Sequence, residues 1–368
     1  MKKILFVLAL TAIVLAGCGP TQPKGNLVFL DLYDNYNMQF LPIAGGQAGT
    51  PIVTGVIVPE LTTYAAPDGN QLVTWKFDEN GPGATIYVYT AGNLASPVVL
   101  ESPKELDPLG SSQDMSFFWK GGSLYLLANH YDIYRALNTF TVYRLAGDAF
   151  TKVRSFSAGS GYYYVNLGRG GSTPDFGKML ITDGRDIFLA NTFIYDTVTG
   201  DITEVLGDPW EIGFSEISPD GNYLLYYSHD TECLISYRVA DGQEQKVVCP
   251  EGNIGFSGKS MTWSANGKNM TWTLEFSREL TRIYVFDISD PDNPVAKQSF
   301  DVPVIHYVTW SPDSRYLAFF ADPGNDPGFY VMDVATGKTE KVYSQPNWKS
   351  VYTQDGGLFP FWVLGWIK

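Results

Sequence analysis

Apolar positions recur along this chain in short runs with a spacing of two, each run opened by a turn. The clearest are Tyr223-Leu-Leu-Tyr-Tyr227, after Ser218-Pro219-Asp220-Gly221, and Tyr316-Leu-Ala-Phe-Phe320, after Ser311-Pro312-Asp313-Ser314. Weaker copies centre on Pro67, Gly121, Pro174, Ala265 and Gln354, so that seven centres stand 42 to 54 residues apart. Five residues after each centre the side chain is apolar: Leu72, Leu126, Met179, Leu224, Met270, Leu317 and Phe359. Two further on, six of the seven are apolar again, Thr74 being the exception, which places both positions on one face of a strand. Proline presets the second position of a type I turn and glycine suits the fourth, so Ser-Pro-Asp-Gly reads as a tight connection between two strands. Trp119, Trp263, Trp310 and Tyr352 stand two residues before their centres, where large side chains pack between repeats.

A second set of hairpins lies between these turns. Their first strands include Thr85-Ile-Tyr-Val-Tyr89, Phe140-Thr-Val-Tyr-Arg144 and Phe329-Tyr-Val-Met-Asp333, with turns such as Val198-Thr-Gly200, Ala240-Asp-Gly242 and Ala335-Thr-Gly337. A strand-type repeat of this period predicts an all-β, seven-bladed β-propeller of four-stranded blades. One further hairpin, residues 26–41, stands alone near the start, and the last centre at Gln354 has none after it. The N-terminal hairpin is therefore expected to complete the C-terminal blade, adding its outer two strands to inner strands around Gln354 and removing two exposed sheet edges.

Residues 1–17 carry Lys2-Lys3, an apolar run from Ile4 to Leu15, and then Leu15-Ala16-Gly17-Cys18. The run is too short for a comfortable membrane span. Leu-Ala-Gly-Cys resembles the lipobox of bacterial lipoproteins, which implies a signal peptide over 1–17 and lipidation of Cys18; residues 18–25 then form a tether, and the repeats a single propeller domain over 26–368. The alternative is an ordinary cleaved signal or an uncleaved anchor. In a bacterium with two membranes, Gly19 after the cysteine implies the periplasmic side of the outer membrane; with one membrane, the cell surface. The short tether is expected to leave from the face opposite the Pro-Asp-Gly turns.

A net charge of −14 argues against nucleic acid and against docking to anionic lipid through basic residues. It suits solubility in the envelope. Cys233 and Cys249 fall in one hairpin; a three-residue loop at Ala240–Gly242 sets them opposite each other, within disulfide reach in an oxidising compartment, the alternative being two free thiols.

Catalytic signatures are missing: no Gly-x-Ser-x-Gly elbow, no His-Glu-x-x-His, no phosphate loop and no Cys-x-x-Cys. The repeats fill the chain and leave no room for a separate hydrolase domain. Paired acids such as Asp78-Glu79, and Asp322 with Asp326, lie in Gly-, Asn- and Pro-rich loops where turn chemistry explains them first. Neither a metal nor another cofactor is expected.

Strand alternation puts every Pro-Asp-Gly turn on one face of the disc and the long irregular loops on the other. His130, His229 and His306 all map to the long-loop face, with Tyr131, Asp132, Tyr163, Arg169, Asp230 and Tyr307. Polar and aromatic groups on loops of a rigid scaffold form a candidate binding face.

The repeat around Pro219 and Pro312, continued by Tyr330-Val-Met-Asp-Val-Ala-Thr-Gly337-Lys338, resembles the WD40-like repeat of TolB-type propellers over residues 26–367. That resemblance implies an envelope propeller that works by binding another protein. The sequence thus predicts a membrane-tethered, non-enzymatic module for an envelope protein or small ligand. The alternative is an envelope propeller enzyme, a lyase, cyclotransferase or glycan-acting enzyme, with a histidine site at the channel mouth.

Overall fold

The computed structural model describes residues 22–31, 37–57, 63–66, 68–77, 83–103, 115–132, 137–160, 163–165, 173, 177–183, 192–206, 212–228, 230–250, 260–277, 280–290, 292–302, 305, 308–321, 323, 326–344 and 361–368. They form seven small antiparallel sheets, arranged as the seven blades of a β-propeller. Blades one to six are continuous stretches of chain: 63–101, 115–160, 163–206, 212–248, 260–302 and 308–344. The seventh joins 361–367 to 25–57.

The turn that opens each inner hairpin is held by its own side chains. Ser218 Oγ donates to Asp220 Oδ1 and accepts the Tyr223 amide at 3.0 Å, while the Gly221 amide reaches the Ser218 carbonyl at 2.8 Å. Gly221 has φ +71°, a conformation glycine adopts without cost. Ser311, Asp313 and Tyr316 repeat the arrangement, with Ser314 at φ +60° in the glycine position. Ser264 and Asn266 repeat it again, the Asn269 amide donating to Ser264 Oγ at 2.9 Å.

Each blade buries both faces, so its central strands are apolar at successive positions as well as at alternate ones. In Gly25–Asp31, Leu27 and Phe29 pack towards the sixth blade, whereas Val28 and Leu30 pack towards the first. In Tyr223–Ser228, Leu224 and Tyr226 meet the third blade, and Leu225 and Tyr227 the fifth. Among the described residues, one apolar cluster fills each of the seven seams between neighbouring blades. Fully burying one such side chain contributes ~1.5–3 kcal/mol, so the seams carry the stability of the ring.

The N-terminal hairpin completes the C-terminal blade, as the repeat count predicts. The division of strands differs from expectation. Phe361–Ile367 pairs with Gly25–Asp31, that strand with Asn37–Ala44, and that in turn with Ile52–Ile57 and the two-residue Gln47–Ala48. Leu364, Gly365 and Trp366 line the central axis beside Thr309 and Trp310 of the sixth blade and Thr63–Ala65 of the first. The C-terminus therefore supplies the innermost strand and the N-terminus the other three. The sequence carries the reason: Gly25-Asn26 followed by Leu-Val-Phe-Leu matches Gly221-Asn222 followed by Tyr-Leu-Leu-Tyr. Residues 345–360, with the turn centred on Gln354, lie outside the described residues.

This division also reverses the expected exit of the tether. The Lys368 amide donates to the Gly69 carbonyl at 2.7 Å, within the first blade's Pro-type turn, and Asn26 Nδ2 donates to the Lys368 carbonyl at 2.8 Å. Lys368 and the start of Gly25–Asp31 thus stand on the Pro-Asp-Gly face, in the place where the seventh turn would be.

Cys233 and Cys249 form the expected disulfide. The register reaches that pairing by an unexpected route. At the turn Arg238 faces Gln243, one step from the expected partner Val239, and a bulge between Leu234 and Ile235 restores Leu234 to Val248. The cysteines next to that pair then meet.

Candidate functional site in the axial channel

The innermost strands surround a cavity of about 500 Å³ that opens between the Pro-Asp-Gly turns. Gly69, Pro219, Asn266, Gly267 and Pro312 form its rim, and Thr63, Ser116, Glu216, Thr262 and Thr309 lie on its wall. Trp119, Trp263, Trp310 and Trp366 close the gaps between neighbouring strands. Their indoles bridge the structure: Trp119 Nε1 donates to Gln71 Oε1 at 3.0 Å, Trp310 Nε1 to the Thr262 carbonyl at 3.1 Å, and Trp366 Nε1 to the Lys24 carbonyl at 3.2 Å. Tyr64 joins the first two blades in the same way, its hydroxyl donating to the Met115 carbonyl at 3.1 Å. Trp119, Trp263 and Trp310, each two residues before its turn, are thus wedges between blades, as expected.

Among the described residues that line this cavity, Glu216 is the one that carries a charge. It sits on the fourth blade's innermost strand, Ile212–Ile217, and only 6% of its surface is exposed. Its neighbour Ile217 packs into the seam between the third and fourth blades. Thr63, 5% exposed, presents a hydroxyl with no hydrogen-bond partner among the described residues, and Trp263 Nε1 is in the same state. A buried carboxylate in a cavity also lined by hydroxyl and indole groups can exchange a proton with a bound molecule, and its burial shelters that exchange from bulk water.

Sequence reasoning missed Glu216 because it sought histidines on loops. A signal was available: at the third position before each centre the repeats carry Tyr64, Phe118, Gly171, Glu216, Thr262, Thr309 and Val351, and only one of these is ionisable at neutral pH.

The residues predicted for the opposite face are only partly described. His130, near the end of Ser123–Asp132 in the second blade, and Asp230, after the second strand of the fourth, are exposed on separate blades. Tyr131 and Asp132 end that same second-blade strand, and Tyr163 opens Tyr163–Val165, the innermost strand of the third blade. Arg169, His229, His306 and Tyr307 lie outside the described residues, as do Cys18, Asp78, Glu79 and Asp322. Asp326 is engaged by the Lys341 ammonium. Among the described residues no cluster of His, Cys, Asp and Glu could hold a metal ion.

No family model matches the chain. A segment of 179 residues is 25% identical to dipeptidyl-peptidase 5 of Porphyromonas gingivalis; the match covers 44% of this chain and 24% of that protein, so it spans about a quarter of the relative's length. The periplasmic gluconolactonase of Pseudomonas aeruginosa superposes with a TM-score of 0.55 at 14% identity, over 88% of this chain and 96% of its own. An oligogalacturonate lyase in complex with manganese superposes at 0.53 with 15% identity, over 90% and 87%. TolB from Acinetobacter baumannii aligns at 0.46 with 12% identity over 89% and 80%.

These neighbours overturn the expectation of a non-enzymatic module. A gluconolactonase and a lyase share this fold over nearly their whole length. A chain filled by its propeller, without a hydrolase domain or a standard motif, is therefore no argument against catalysis.

Proposed function

We propose that this protein is a propeller enzyme of the bacterial envelope, exported by residues 1–17, anchored at Cys18, and acting on a small hydroxylated substrate in the axial cavity. Glu216 carries the reading. Among the described residues it is the one carboxylate on the cavity wall, it is nearly buried, and it shares that wall with groups that hydrogen-bond or stack on a sugar-like molecule. The names of two fold neighbours suggest lactone or uronate chemistry. A lactone suits a carboxylate acting by itself better, because elimination from a uronate needs a cation to neutralise the substrate's own carboxylate, and there is none among the described residues that line the cavity.

In this reading Glu216 takes a proton from water as its oxygen attacks the lactone carbonyl. The ring C–O bond then breaks, and the proton returns from Glu216 to the departing alkoxide. The Thr63 hydroxyl is available to donate to the carbonyl oxygen as charge develops on it. The test is hydrolysis of glucono-δ-lactone followed by acid release above the uncatalysed rate. Glu216→Gln should lower kcat by about 10²–10⁴-fold while the variant melts like the parent. Full activity in that variant, or no activity of the parent on this lactone and neutral analogues, would overturn the proposal.

A further inference from the structure

The tether and the cavity share a face, and the tether is short. Residues 22–24 are fastened to the propeller: the Gly46 amide donates to the Pro23 carbonyl at 3.3 Å, and Trp366 Nε1 donates to the Lys24 carbonyl at 3.2 Å. Pro23 is buried, and Gln22 and Pro23 border a cleft of about 200 Å³ formed with Arg315, Asp333, Lys338 and Glu340 of the sixth blade. Free chain is therefore limited to the four steps from Cys18 to Gln22, at most ~14 Å when fully extended. A seven-residue strand such as Phe361–Ile367 is itself roughly 23 Å long. Four residues do not span the blade from one face to the other.

We infer that the Pro-Asp-Gly face lies against the lipid surface, with the entrance of the axial cavity turned towards the headgroups and the long-loop face turned away. This rests on lipidation at Cys18, part of the function proposed above. Ligands then reach the cavity through the gap between disc and membrane, and large soluble partners have free access only to the long-loop face.

The experiment uses the full lipidated protein in vesicles of phosphatidylethanolamine and phosphatidylglycerol. With Cys18 acylated and Cys233 bonded to Cys249, a newly introduced cysteine is the free thiol. Lys268→Cys marks the turn face and Asp230→Cys the long-loop face, both positions being exposed. Each is labelled with a fluorophore and challenged with headgroup spin-labelled lipid. Quenching should be several-fold greater at 268 than at 230, and a flexible insert of about 20 residues between Gly19 and Pro20 should abolish the difference, since such a linker has an r.m.s. span of about 25 Å. Equal quenching, stronger quenching at 230, or an asymmetry that survives the insert would overturn the inference while leaving the lipoprotein reading intact. Intact mass without a lipid on Cys18 would overturn both.

Discussion

The sixth blade is one continuous stretch, and the seventh is stitched from strands whose meeting residues, Asn26 and Lys368, are 342 positions apart. Both bury the same kinds of side chain, and one cluster joins them: Leu27, Phe29 and Trp366 from the stitched blade with Phe329 and Val331 from the continuous one. They differ in what brings their first two strands together. In the sixth blade Ser311, Pro312 and Asp313 form a turn that fixes the register locally. In the seventh no turn joins Phe361–Ile367 to Gly25–Asp31, and the register rests on backbone pairing, seam packing and the side-chain bonds from Asn26 to Lys368 and from Trp366 to Lys24. Ring closure therefore depends on long-range contacts whose loop entropy must be met before they form.

The comparison is broken most severely by removing the stitch. Deleting residues 361–368 takes away the innermost strand of the seventh blade and should abolish cooperative urea unfolding. A circular permutant that joins Lys368 to Gly25 through Ser-Pro-Asp-Gly, with new ends between 104 and 114, should fold cooperatively, because it gives the seventh blade the turn the others possess. A milder cut is Trp366→Ala. Trp366 is 3% exposed, and its loss should cost about 3–5 kcal/mol in denaturant melts. Hydrogen exchange should quicken first at the amides of Gly25–Asp31. The matching Trp310→Ala should be comparably destabilising but should leave those amides protected, since the sixth blade keeps its turn.

The smallest effect is alkaline and compares two seams. Tyr223 is pushed up to about 12 by burial and then by donating its hydroxyl to Asp292 of the fifth blade; Tyr89, at the seam of the seventh and first blades, is pushed up to about 12 by burial. An unfolded tyrosine ionises near ~10, so the unfolded chain loses these protons first. The contribution is complete below about pH 10 and disappears as the pH climbs to about 12. Tyr223→Phe and Tyr89→Phe should each flatten part of that slope in urea melts taken from pH 9 to 12.

Much of the fold was legible in the sequence. Turn chemistry such as Ser218-Pro219-Asp220-Gly221 is local, and the apolar positions after it repeat because every blade meets the same environment on both sides. The cysteine pairing was legible for a related reason, although the bulge at Leu234 was not. The sharing of strands in the seventh blade was misread: in Pro23-Lys24-Gly25-Asn26 a lysine replaces the aspartate of Pro219-Asp220-Gly221-Asn222, and without that turn signal its likeness went unweighed.

The candidate site was less legible. Glu216 resembles any acid beside a turn until seven innermost strands converge and its side chain is seen on the wall of a shared cavity. The sequence by itself determined the blade, the number of blades and the hairpin that holds the disulfide, because each depends on residues within one repeat. Tertiary structure decided how the last strand joins the first, which face residues 22–24 leave from, and which residues meet at the axis. Those are set by closure of the ring, a pairing of Gly25–Asp31 with Phe361–Ile367 that lies outside any single repeat.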